Sequence, residues 1–127
     1  MLEIDNKLYD FTKKQFDFYD ENGFIVIKNL FSTEEVDRIY HIFSEHADEN
    51  FSAILNLDRE IEELHNVMKM PRVVSIVESI FEGEAYGLMI QMLFKQSGTK
   101  YSNQSWTIHQ DNSYHQNPNG KTLTINI

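Results

Sequence analysis

Ser105-Trp106-Thr107-Ile108-His109-Gln110-Asp111-Asn112-Ser113 alternates polar and apolar residues, though not cleanly, and it reads as a strand. On a strand, residues two apart point to the same side with their backbones about 6 to 7 Å apart. The imidazole of His109 and the carboxylate of Asp111 would then face a common point, with Gln110 facing away. A helix at the same tripeptide would turn the two groups about 200° apart and separate them. The other His-x-Asp, His46-Ala47-Asp48, falls on a predicted helix and reads as a solvated surface pair.

A neutral imidazole and one carboxylate are two of the three ligands of the facial triad that holds non-haem Fe(II) with positions left open. The third ligand of such a site is a second histidine. His115 lies six residues beyond His109 and can serve only if the chain bends sharply, because six extended residues span roughly 20 Å. His41, His46 and His65 sit on predicted helices and read as surface or structurally satisfied histidines. Spacing alone leaves His109 and Asp111 open to a plainer reading, an exposed pair beside a turn.

Working outward from this stretch, residues 86–94 form an apolar run read as a strand, and Ser97-Gly98 and Asn103 signal a loop between the two. Asn117-Pro118-Asn119-Gly120 has the preferences of a type I turn, and Thr122-Leu123-Thr124-Ile125-Asn126-Ile127 alternates with period two. Together these predict a hairpin whose last strand ends with the chain. Upstream the grammar is helical. Thr12 with Gln15 and Ser32 with Glu35 form capping boxes that open helices over about 12–21 and from 33 onward. In the second helix Val36, Ile39, Tyr40, Phe43 and Ala47 recur at helical spacing. A third helix is expected from about Asp58, burying Ile61, Leu64 and Met68, and a fourth from Pro71 to Gly83. Between the first two helices Phe24-Ile25-Val26-Ile27 reads as a short strand buried on both faces. Helices with one early strand, followed by a run of strands, predict an α+β domain with helices backing a mostly antiparallel sheet.

Composition bounds the function. The chain has 127 residues, 41% of them apolar, which suits a single domain. It contains no cysteine, which excludes disulfides, thiolate nucleophiles, zinc fingers and iron–sulfur clusters. A net charge of −9 argues against a nucleic-acid partner. No apolar run reaches the roughly 18 to 20 residues of a bilayer span, and Met1-Leu2-Glu3-Ile4-Asp5 lacks the pattern of a secretory signal, so the expectation is a cytoplasmic protein without a membrane partner. The charge is unevenly spread: residues 1–63 hold 16 acids and 6 Lys or Arg, whereas after Glu84 the sole acid is Asp111.

Two stretches resemble the phytanoyl-CoA dioxygenase family. The first, Phe18-Tyr19-Asp20-Glu21-Asn22-Gly23-Phe24-Ile25-Val26-Ile27-Lys28-Asn29-Leu30-Phe31-Ser32-Thr33-Glu34-Glu35-Val36, is similar to the family's N-terminal signature. The second, Trp106-Thr107-Ile108-His109-Gln110-Asp111-Asn112-Ser113-Tyr114, is similar to its His-Gln-Asp metal motif with an aromatic shortly after. Their order and separation make the pair more specific than either alone, and the resemblance runs from about Phe16 to Ile127. It implies a partial double-stranded β-helix (jelly roll) carrying a dioxygenase that uses Fe(II), 2-oxoglutarate and O2 to hydroxylate a small-molecule substrate. It further implies His109 and Asp111 as iron ligands. The strand Leu88-Met89-Ile90-Gln91-Met92-Leu93-Phe94-Lys95 resembles the family strand lining the co-substrate pocket, so Met92 and Lys95 are implied as 2-oxoglutarate contacts. Their plainer readings are a core methionine and a strand-end surface charge. Trp106 and Tyr114 flank the motif as candidate pocket walls.

The sequence also departs from the family pattern. The distal histidine and the arginine that anchors the far carboxylate of 2-oxoglutarate have no counterparts here, since Arg38, Arg59 and Arg72 all precede the motif on predicted helices. The expectation is therefore the N-terminal portion of a phytanoyl-CoA dioxygenase-like domain, inactive by itself. Two alternatives stand beside it: a non-catalytic interaction module built on the same fold, whose acidic helices face a basic partner, and an assembly in which a second chain completes the sheet.

Overall fold

The structure is a computed structural model that describes residues 1–48, 53–93 and 108–127. The expected contact Lys95, the flanking Trp106 and the start of the 105–113 stretch lie outside the described residues.

Helix α1 spans Lys13–Asn22, opened by the Thr12–Gln15 capping box and closed at Gly23, whose φ of 76° supplies the left-handed conformation that its amide needs to reach Tyr19 O at 2.7 Å. Helix α2, Thr33–His46, is opened by the Ser32–Glu35 capping box, with Glu34 and Glu35 in its first turn, where carboxylates favour the helix dipole. Its buried stripe is Ile39 and Ile42, with Phe43 half-buried. Val36 and Tyr40, 43% and 72% exposed, lie to one side of that stripe rather than within it.

After a short strand β1, Ala53–Leu55, a single 3-10 turn at Leu57–Arg59 precedes helix α3, Glu62–Lys69. The third helix thus begins later than the Asp58 start predicted from the sequence. Asp58 is buried, and its Oδ1 accepts the amide of Ile90 at 2.8 Å, which holds it in the turn. Leu64 of α3 is buried, while Ile61 and Met68 are only half-buried. Helix α4, Pro71–Phe81, starts with proline in its first turn, where the missing amide donor costs nothing. It stops with Glu82 in the left-handed region just before Gly83.

Strand β2, Gln91–Leu93, pairs antiparallel with β1 in the register Ala53↔Leu93, Ile54↔Met92 and Leu55↔Gln91. Within the expected 86–94 strand, only these three residues are assigned to a strand among those described. Three further predicted strands are corrected. Residues 24–27 pair with nothing among the described residues: Ile25 and Ile27 are half-buried, while Phe24 and Val26 are exposed. Phe24 instead packs edge-on against Phe18 of α1, with ring centroids 5.8 Å apart. Residues 108–113 turn into a short helix α5, Asn112–His115. The turn at 117–120 forms as expected, its Gly120 amide donating to Asn117 O at 2.9 Å, but residues 122–127 carry no strand pairing among the described residues, where the expected hairpin does not form. A β-branched run favours extended backbone only locally; a strand also needs a neighbour to accept and donate its ladder bonds.

The core joins Leu2 of the N-terminal arm to Ile39 and Ile42 of α2, Leu64 and Val67 of α3, and Met92 of β2, with Leu57, Met70 and Val73 filling between them. Polar ties surround it. Arg72, whose side chain is 9% exposed, pairs with Asp5 at 2.7 Å and Glu35 at 2.5 Å and lies 5.2 Å from the ring centroid of Phe31. Arg38 holds Glu63 in a two-pronged ion pair, one arm at 2.9 Å, and Glu63 also accepts the amide of Leu2 at 2.7 Å. These donors hold the Glu63 carboxyl down to a pKa of about 2, the Arg38 hydrogen bond being the main cause.

Candidate metal centre

The expected ligands are brought together, although not by a strand. Residues 108–110 have no regular structure, and Asp111 takes right-handed helical dihedrals (φ −56°, ψ −35°) at the head of α5. Asn112 favours this turn, because its short side chain bonds the backbone of Asn117 just beyond the helix. In the turned conformation His109 Nε2 lies 3.3 Å from Asp111 Oδ1. The His109 ring meets Tyr114 edge-on at 5.4 Å between centroids, so the first turn of α5 supplies a wall that holds the imidazole plane. The side chains of His109 and Asp111 are 41% and 40% exposed, so the pair stands in an open position.

Asp111 divides its two oxygens. Oδ1 faces His109, and Oδ2 accepts the hydroxyl of Thr124 at 2.5 Å. Next to it Asn112 accepts the Thr122 hydroxyl at 3.2 Å and the Asn117 amide at 2.9 Å through Oδ1, and donates from Nδ2 to Asn117 O at 3.2 Å. Residues 122–124 are thereby laid along the motif. Lys121 Nζ donates to Phe81 O at 2.8 Å, which anchors this segment to the carbonyl end of α4.

The two side chains supply two donors of a kind that a divalent ion such as Fe(II) takes. Two donors, each about 2.1 Å from one ion and at right angles, lie about 3 Å apart, close to the separation seen here, and an imidazole nitrogen with a carboxylate oxygen suits iron. No group of three or more His, Asp or Glu able to hold one ion occurs among the described residues. Helix α5 does bend the chain after His109, but it does not add His115 to such a group. His41 and His46 remain on α2, facing Glu45 at 3.3 Å and Ile42 O at 2.7 Å, and His65 on α3.

Met92 is 2% exposed and packed in the core opposite Ile54, which matches the plainer of its two readings. Arg38 and Arg72 are committed to Glu63 and to Asp5 with Glu35. The sequence reading overlooked Thr124. Its signal was the Thr122-x-Thr124 spacing, which sets two hydroxyls on one side of an extended segment.

Against known proteins, no curated sequence and no solved structure matches the chain. A family model described as phytanoyl-CoA dioxygenase (PhyH) matches residues 19–127.

Proposed function

The chain belongs to the phytanoyl-CoA dioxygenase family, and on that premise we propose that it carries part of an Fe(II)- and 2-oxoglutarate-dependent hydroxylase site acting on a small-molecule substrate in the cytoplasm. The observation that carries this reading is the 3.3 Å approach of His109 Nε2 to Asp111 Oδ1 inside the matched region. Among the described residues no helix is long and apolar enough to cross a membrane.

Iron with 2-oxoglutarate supplies the oxidative chemistry that hydroxylates an unactivated C–H bond. The residues of this chain hold and orient. His109 would offer Nε2 to the ion, and Tyr114 restrains the ring. Asp111 offers Oδ1 as an anionic donor beside it. Among the described residues no third ligand joins the pair, and Arg38 and Arg72 are taken up by Glu63, Asp5 and Glu35, so on this reading His109 and Asp111 alone hold Fe(II) weakly. The jelly roll of the family is completed by further strands, which a second chain can also supply; of the two co-substrate contacts that the resemblance implies, Met92 is packed in the core and Lys95 lies outside the described residues.

Anaerobic titration of the chain with Fe(II) and 2-oxoglutarate tests the reading. A metal-to-ligand charge-transfer band that disappears in His109→Ala supports it, and a band unchanged in that variant overturns it. The second reading, a non-catalytic interaction module, is favoured by the missing three-ligand group among the described residues. That reading predicts no metal binding in the assembled protein either.

A further inference from the structure

The hydroxyls of Thr122 and Thr124 bind the consecutive residues Asn112 and Asp111, in opposite chain directions. The first contact has company: Asn112 is held three times over, by Thr122 and by two bonds to Asn117. The Thr122 hydroxyl thus gives residues 122–124 a tie to the motif besides Thr124. Its 2.5 Å bond goes to Asp111 Oδ2, the oxygen turned away from His109.

We propose that Thr124 is a positioning residue for the metal-binding carboxylate, fixing Asp111 so that Oδ1 alone is presented beside His109 Nε2. This inference rests on the reading of His109 and Asp111 as Fe(II) ligands. The torsion that rotates a carboxylate is broad and two-fold, so an unrestrained Asp111 would exchange its two oxygens freely or offer both to one ion. A hydroxyl donating to Oδ2 removes that freedom and satisfies part of its charge. Asp111 then contributes one donor, and positions stay open for co-substrate. Outer-shell hydrogen bonds of this kind are a general means of orienting first-shell ligands.

Calorimetric titration of the assembled protein with Fe(II) alone, under anaerobic conditions, tests the assignment without using turnover. Thr124→Val is expected to lower Fe(II) affinity roughly tenfold, with Thr124→Ser restoring it, because outer-shell losses of this kind cost about 10- to 100-fold. Thr122→Val, which loosens Asn112 but leaves the carboxylate bond in place, is expected to keep affinity near the parent value. The proposal is overturned if Thr124→Val binds like the parent while His109→Ala does not bind, an outcome that leaves the ligand reading intact. It is equally overturned if serine fails to rescue or if Thr122→Val loses as much. Binding that survives His109→Ala would overturn the ligand reading and this inference together. Thr124 is exposed and Thr122 half-buried, and unchanged circular dichroism verifies that each variant folds.

Discussion

The helical region over residues 13–81 and the C-terminal segment over 108–127 are held by different physics. The first is tied by buried apolar side chains and by ion pairs that bridge the N-terminal arm to α2, α3 and α4. The second is a mostly half-buried lattice of short polar side chains, in which Asp111, Asn112, Asn117, Thr122 and Thr124 bind one another. Hydrophobic burial supplies stability in bulk, whereas polar side-chain bonds that water can still reach contribute little net free energy and a good deal of orientation. A scaffold and a ligand-presenting segment are separated along one chain.

Substitutions should break the two regions differently. Leu64 is 1% exposed at the centre of the core, and Leu64→Ala should cost about 3 kcal/mol in urea unfolding, as truncation of a buried leucine does. Acid should act through Glu63. Its folded pKa of about 2 lies below the ordinary 4.5, so its contribution is complete above the ordinary value and is lost as pH falls toward 2. The linked loss, at about 1.4 kcal/mol for each pH unit between these values, is about 3 kcal/mol, read as a falling urea midpoint, and Glu63→Gln should flatten that part of the profile. Ser32→Ala removes the hydroxyl that caps α2 and should cost about 1 kcal/mol by the same measurement. The smallest effect belongs to the second region: His109→Ala should leave the urea midpoint within about 0.5 kcal/mol of the parent, as exposed substitutions do, while abolishing Fe(II) binding. A large loss of stability in that variant would erase the contrast between the regions.

The starts of α1 and α2 were legible because a capping box is a local arrangement. Thr12 with Gln15 and Ser32 with Glu35 carry both partners within three residues, so nothing distant is needed to form them. The turn at 117–120 was legible for the same reason. Strand pairing was not. Residues 53–55 have no marked strand signature, yet they pair with 91–93 because Ile54 and Met92 meet in the core. The β-branched 24–27 run, which does carry the signature, has no such neighbour among the described residues.

The candidate site divides along the same line. The sequence by itself determined which groups are available: one imidazole two residues from the only carboxylate after Glu84, within a stretch that resembles a metal motif, together with the capped helices ahead of it. Only the tertiary structure decided how those groups meet. Asp111 enters α5 instead of continuing a strand, His109 closes on it, and Thr124, 13 residues further on, takes the second oxygen. Residue identity and short-range hydrogen bonds are written in neighbouring positions, whereas the approach of groups far apart in the chain depends on packing and chain direction, which no local pattern specifies.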